Sequence, residues 1–248
     1  MAGLNDSCID LTITSPPYDN QRKYNGFIFD FERTAKNLFR ITNTGGGVLV
    51  WVVGDQTVNG SESGSSFRQA LYFINCGFKL HDTMIYRKLN FIPTNHNRYE
   101  QEFEYMFVFV KGKLKTFNPL RLPCKYAGTF YRGNPSFYNG TDHLQKKNKK
   151  HRINDYKNHG NIFEYNTGSL VRNGKTHPAI FPEQLAADHI TTWSNIGDLV
   201  FDPFSGSGTT CAEAKRVGRR FLGCDISQEY VDDANAYIAK IQDITDIL

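Results

Sequence analysis

Residues 198–227, DLVFDPFSGSGTTCAEAKRVGRRFLGCDIS, decide how this chain folds. DLVFDPF is an apolar run of strand length, SGSG is a glycine turn, TTCAEAKRVG has helical periodicity, and RFLGCDIS is a second strand. Gly206 and Gly208 let the backbone approach a ligand, and Asp225 ends the second strand 17 residues after Gly208. A carboxylate there can hold the hydroxyl pair of a ribose. The layout is that of a nucleoside site. It is no P-loop, because no Lys-Ser or Lys-Thr follows the turn, and Cys211 stands where a dinucleotide fingerprint has its third glycine.

The rest of the chain alternates in the same manner. CIDLTIT (8–14) reads as a buried strand, and DFERTAKNLFRITN (30–43) as a helix with Phe31, Ala35, Leu38 and Phe39 on one face. Three glycines then stop the helix before VLVWVV (48–53), a fully buried strand. A Gly/Ser loop, GSESGSS (60–66), precedes a helix over 67–77 and two strands over 78–88 and 104–112. A proline-introduced helix over 177–194 and an amphipathic helix over 228–243, with Tyr230, Ala234, Tyr237 and Ile238 inward, complete the pattern. Strands alternating with helices of this length predict an α/β fold: a mostly parallel, doubly wound sheet with helices on both faces.

With 248 residues, 40% of them hydrophobic, the chain can bury one full core. Its longest apolar runs are too short to cross a bilayer and its first residues lack a signal-peptide pattern, so a cytoplasmic location without membrane partners is expected. Cys8, Cys76, Cys124, Cys211 and Cys224 form no CxxC pair and read as reduced, mostly buried small hydrophobes. No metal site is expected.

Charge is unevenly spread. Residues 111–176 hold 14 lysines and arginines against three acidic residues, a surplus of eleven in a chain of net charge +4. The segment includes the run Lys146, Lys147, Lys149 and Lys150, and it is interleaved with Tyr126, Phe130, Tyr131, Phe137, Tyr138 and Tyr156. A basic, aromatic-rich segment beside an acidic remainder points to a polyanion partner, although a lysine run alone also suits a solvated loop.

DPFSGSGTT with GCDISQEYV resembles the S-adenosylmethionine site of amino-group DNA methyltransferases, and TSPPY (14–18) resembles their catalytic loop. The order of catalytic loop, basic region, HPAIFPEQLA (177–186) and cofactor loop is similar to the β-type circular order of that family. The resemblance implies a Rossmann-like catalytic half (1–110), a basic target-recognition insertion (111–176) and a cofactor half (177–248). It implies a site-specific enzyme that carries a methyl group from S-adenosyl-L-methionine to an exocyclic amine in double-stranded DNA, with a restriction endonuclease as a compatible partner. TSPPY and HPAIFP are closer to the cytosine-N4 enzymes than to the adenine-N6 enzymes, where DPPY predominates; adenine-N6 methylation is the alternative.

The implied roles follow from chemistry. The lone pair of a base's exocyclic amine is delocalised into the ring, so the nitrogen attacks only when held and polarised. Ser15 hydroxyl and Pro16 carbonyl would accept its two hydrogens, with Pro16 and Pro17 fixing the turn. Tyr18 would stack on the flipped base. Thr14, Phe181, Pro182, Asp202, Phe204, Ser205, Gly206, Ser207, Gly208, Thr209, Thr210, Asp225 and Ile226 would form the cofactor site, although Phe204 also reads as core and Asp202 as a helix cap. Arg22, Lys23, Tyr24 and the four lysines would contact DNA.

Pro123-Cys124 would serve a cytosine-C5 mechanism, but it lies in irregular basic sequence and leaves TSPPY unexplained. A catalytically impaired DNA-binding module is the rival of another class, and the PPY loop argues against a nicotinamide-dependent oxidoreductase. In the family a strand ending in Gly-Asp precedes the catalytic strand, whereas only MAGLNDS precedes CIDLTIT here. An open sheet edge at RFLGCDIS is therefore expected, completed by a longer chain, a homodimer partner or another polypeptide.

Overall fold

The structure, a computed structural model, describes every residue except 2, 18–28, 92, 94–96, 132–150, 168–170, 173–174, 177–179 and 243–248. A strand at Leu11–Thr14 (β1) leads through a helix at Phe31–Ile41 (α1) to Val48–Val53 (β2). The helix Ser65–Asn75 (α2) precedes a long hairpin of Lys79–Lys88 (β3) and Phe103–Val110 (β4). Ile162–Tyr165 (β5), Glu183–Trp193 (α3), Leu199–Asp202 (β6), Thr209–Arg216 (α4), Arg220–Gly223 (β7) and Gln228–Ile238 (α5) follow. The seven strands form one sheet in the order β5-β3-β4-β2-β1-β6-β7. Neighbours are parallel except at β4, which runs against both β2 and β3.

Burial explains which runs became strands. All six residues of β2 are buried, as a strand covered on both faces requires. One layer is aromatic: Phe73 packs against Trp51 at 5.0 Å, Phe109 at 5.1 Å and Phe31 at 5.4 Å between ring centroids. The Trp51 indole nitrogen donates to Gln69 at 2.8 Å, so its one polar atom is satisfied inside the core. On α3, buried His189 accepts from the Trp193 indole at 3.1 Å and meets Met106 Sδ of β4 at 3.2 Å. Burial lowers that imidazole to about 4, so it is a neutral core group.

The inward face of α1 is Thr34, Ala35, Leu38 and Ile41, with Phe39 only half-buried. Of the five cysteines only Cys211 is buried, which corrects the expectation that most would be. Among the described residues nothing pairs with the outer edge of β7.

Met1–Asn118 with Asn161–Leu248 pack as one unit and Pro119–Gly160 as another. The strand β5, which lies inside the basic segment, therefore belongs to the sheet-bearing unit. Within the smaller unit Arg121–Pro123 pairs antiparallel with Tyr156–Asn158, and Phe130–Tyr131 with His151–Arg152. Tyr126, Phe130 and Tyr156 are exposed there.

Lys111, just past β4, closes the end of α1. Its ammonium donates to the carbonyls of Phe39 at 2.6 Å, Thr42 at 2.9 Å and Arg40 at 3.3 Å, and lies 4.5 Å from the centre of the Phe39 ring. A cation on the last carbonyls of a helix satisfies groups that have no intrahelical partner. Lys111→Met should cost about 1–3 kcal/mol, read by denaturant unfolding, because the Phe39 and Thr42 carbonyls lose this donor while that of Arg40 keeps the Ser7 amide. Unchanged stability would mean that water replaces the ammonium at no cost.

Candidate active site

From β1 the chain winds through α1 to β2 on one side, and from β6 it winds through α4 to β7 on the other. Such a reversal leaves a crevice beyond the carboxyl ends of the two strands, where ligands bind in open α/β sheets. The two loops singled out in the sequence leave from these ends: Ser15-Pro16-Pro17 from β1 and Pro203 to Gly208 from β6.

The two loops are tied together at their roots. Thr14 Oγ1 donates to Asp202 Oδ1 at 2.6 Å within the core, and the Phe204 amide donates to the same oxygen at 3.0 Å. Burial pushes the Asp202 carboxyl up to about 6 against the pull of the Thr14 and Phe204 donors, and nearby Asp225 adds to the rise. The Thr210 hydroxyl also favours the charged form from the first turn of α4, and among the described residues it meets no partner at hydrogen-bond geometry.

The glycine loop is held from the next strand. Asp225 accepts the Gly206 amide at 2.9 Å on one oxygen and the Ser227 amide at 2.9 Å on the other. Ser205 donates its amide to the Cys224 carbonyl at 2.8 Å. Each Asp225 oxygen retains a second lone pair, so the carboxylate can brace the loop and still accept from a sugar hydroxyl. Gly208 stands at φ +79°, and a Cβ there would come within 2.8 Å of the Ala234 Cβ on α5. A side chain is excluded both by backbone conformation and by space. The close-approach loop and the braced acid fit a nucleoside-type cofactor.

The other expected residues fall as follows. Phe204 is half-buried and its ring packs edge-on to Phe29 at 5.3 Å, so it serves the aromatic layer as well as the loop. Thr209 and Thr210 are buried at the start of α4, while Ile226 is exposed beside Asp225. Pro182 is buried at the start of α3 with half-buried Phe181 before it, and α3 packs on α4 and β1. Tyr18, Arg22, Lys23, Tyr24, Lys146, Lys147, Lys149 and Lys150 lie outside the described residues.

One element was missed in the sequence. Asp55, two residues beyond the carboxyl end of β2, which runs parallel to β1, accepts from Ser63 Oγ at 3.0 Å, Ser65 Oγ at 3.1 Å, the Ser66 amide at 3.0 Å and the Ser66 hydroxyl. Burial alone would raise this carboxyl, but the serine donors carry it below its ordinary value. Gly64 begins α2 without a side-chain cap, and Asp55 supplies the missing acceptor from a distance. The signal was a Gly-Asp pair closing a buried strand ahead of GSESGSS.

The Asp202 carboxyl makes a sign-specific prediction. Its folded value lies above the ordinary 3.8, so ionisation works against folding: the penalty begins above 3.8 and is fully present above about 6. Asp202→Asn keeps an acceptor for Thr14 and Phe204 and offers an amide donor near Thr210. It should melt higher than the unaltered protein at about pH 8, by roughly 2–4 °C per kcal/mol recovered, with the gain vanishing near pH 4. A gain that does not depend on pH would rule out a destabilised carboxylate.

Comparison with known proteins places this geometry. Residues 9–236 match the N6/N4 DNA methylase family. The orphan methyltransferase M.BamHII of Bacillus amyloliquefaciens is 51% identical over 247 residues, covering 94% of this chain and 89% of that protein. Among solved structures, the cytosine-N4-specific PvuII DNA methyltransferase superposes with a TM-score of 0.67 at 18% identity, over 97% of this chain and 86% of that one. M1.HpyAVI in its complex with SAM gives a TM-score of 0.59 at 22% identity, over 96% and 90%. Two loops meeting at the switch point of a mostly parallel sheet, with the family match across both, make this chain a member of the N6/N4 DNA methylase family.

Proposed function

We propose that the chain methylates the exocyclic N4 of cytosine at specific sites in double-stranded DNA, using S-adenosyl-L-methionine. The observation that carries this reading is the meeting of the Ser15-Pro16-Pro17 loop with the Asp202–Gly208 loop across the Thr14–Asp202 hydrogen bond. Serine before the two prolines supports cytosine N4 over adenine N6, as does the stated specificity of the PvuII enzyme. The smaller unit, with its exposed Tyr126, Phe130 and Tyr156 and a basic segment around it, supports DNA reading.

The cofactor supplies an electrophilic methyl group on a sulfonium. Ser15 hydroxyl and Pro16 carbonyl accept the two amine hydrogens, which draws the nitrogen towards tetrahedral geometry and aims its lone pair. The prolines hold both acceptors at low entropic cost. As the nitrogen–carbon bond forms, the carbon–sulfur bond breaks and leaves a neutral thioether; the nitrogen then loses its extra proton to water. Proton loss comes last because a serine hydroxyl is too weak a base to act first. Tyr18 stacks on the flipped base, an interaction worth about 1–3 kcal/mol. The orphan status in the name of M.BamHII supports action without a paired endonuclease. The outer edge of β7, unpaired among the described residues, supports a second chain as partner, read by sedimentation.

Mass spectrometry of nucleosides from DNA treated with the purified protein should find N4-methylcytosine. N6-methyladenine would overturn the base assignment, and unmodified DNA would overturn methyl transfer. Ser15→Ala should lower the transfer rate with cofactor affinity kept within a few-fold, whereas Asp225→Ala should weaken cofactor binding first, because it also releases Gly206. The reverse pattern in calorimetry would exchange the two roles. Alanine at Lys146, Lys147, Lys149 and Lys150 should flatten the salt dependence of DNA binding by roughly one log–log unit for each phosphate no longer neutralised. An unchanged slope would make that run a solvated loop.

A further inference from the structure

We infer that Thr14 is a positioning residue: its hydroxyl, donated to Asp202, holds the catalytic loop in register with the cofactor loop across the gap where β1 and β6 part. The inference rests on the methyl-transfer reading and assigns Thr14 to alignment instead of cofactor contact.

The sheet itself shows why a side-chain tie is needed there. Between β1 and β6 the paired residues are Leu11 with Val200 and Thr12 with Phe201, whereas on its other side β1 stays paired with β2 through Thr14 opposite Trp51. The ladder on the β6 side therefore stops two residues before the catalytic loop begins. Thr14 and Asp202 are the last residues of their strands, and their hydrogen bond spans that gap at 2.6 Å, the length of a strong O–H···O⁻ contact. Asp202 Oδ1 also accepts the Phe204 amide, so one oxygen is shared by the root of each loop.

Burial makes the tie specific. Thr14 is 1% exposed and Asp202 6% exposed. A hydroxyl in such a place costs free energy unless bonded, so a valine would serve the strand equally well if packing were the only demand. The groups facing Asp202 besides Thr14 are Asp225 and Cys224 beyond β7, and Cys211 and Thr210 of α4. None of them is a cation, and the described donors at hydrogen-bond geometry are Thr14 and the Phe204 amide. Methyl transfer is sensitive to such alignment: a misplacement near 1 Å can cost about 100-fold in rate.

Four forms of the protein test this: unaltered, Thr14→Val, Thr14→Ser and Thr14→Ala. Valine keeps the branched shape without the hydroxyl, while serine and alanine differ from each other only in the hydroxyl. Single-turnover methyl transfer should fall about 10- to 100-fold in Thr14→Val and Thr14→Ala and recover in Thr14→Ser, with S-adenosylmethionine affinity by calorimetry held within a few-fold in all of them. Carbon-13 NMR of the labelled Asp202 carboxyl gives a reading independent of activity. Its titration should move to higher pH in the valine and alanine forms, because the anion is then short of a donor, and stay in place with serine. Should valine prevent folding, the serine and alanine pair decides. Equal rates and equal titrations in that pair would overturn the inference. A protein that transfers no methyl group in any form would refute the methyl-transfer reading instead, while the NMR comparison would still judge the bond.

Discussion

Strands β1 and β6 run side by side, yet the chain leaves them in opposite directions, so the covering helices cannot close over the ends of both. The candidate active site depends on that gap. It puts TSPPY and DPFSGSG, which lie at opposite ends of the sequence, within one hydrogen bond of each other. A sheet wound in one direction would have carried the same two motifs to unconnected places.

The surrounding structure stiffens the gap from several sides. Beneath it, Trp51, Phe73, Phe31 and Phe204 form an aromatic layer whose side chains interlock edge to face, so the strand ends rest on a surface that gives little. Asp225 accepts the Gly206 amide of the glycine loop and Asp55 the Ser66 amide at the start of α2, and so both act as struts. Asp202 differs from both: it is almost fully buried, and its charge opposes folding. Groups kept against the interest of stability cluster at sites with a task, and Asp202 is such a group.

Much of this was legible in the sequence, for identifiable reasons. VLVWVV and EYMFVFV announce strands because both faces are covered and every position is apolar or aromatic apart from the leading glutamate, and the GSG turn announces itself because no other residue fits Gly208. Ile162–Tyr165 was not legible: it is four residues long, only Phe163 and Tyr165 face inward, and it sits in basic sequence with no periodicity. The reversed direction of β4 has no signature either, since a buried run reads the same both ways. The serine cage of Asp55 looked like any Gly/Ser loop. The Thr14–Asp202 bond joins residues 188 apart, and no local pattern encodes such a pairing.

That separation also sets an order of events during synthesis. The β1, β2, β4 and β3 strands all lie within the first 110 residues and can pair as soon as they emerge. The flank of β1 that will receive β6 must then wait until Asp202 has followed Val110 out of the ribosome, roughly 5–20 s at rates of about 5–20 residues per second. Through that interval the half-built sheet carries an exposed parallel edge where the candidate active site will form. A nascent chain in this state is open to pairing with the wrong strand, and folding helpers that shield sheet edges would act on it at this stage.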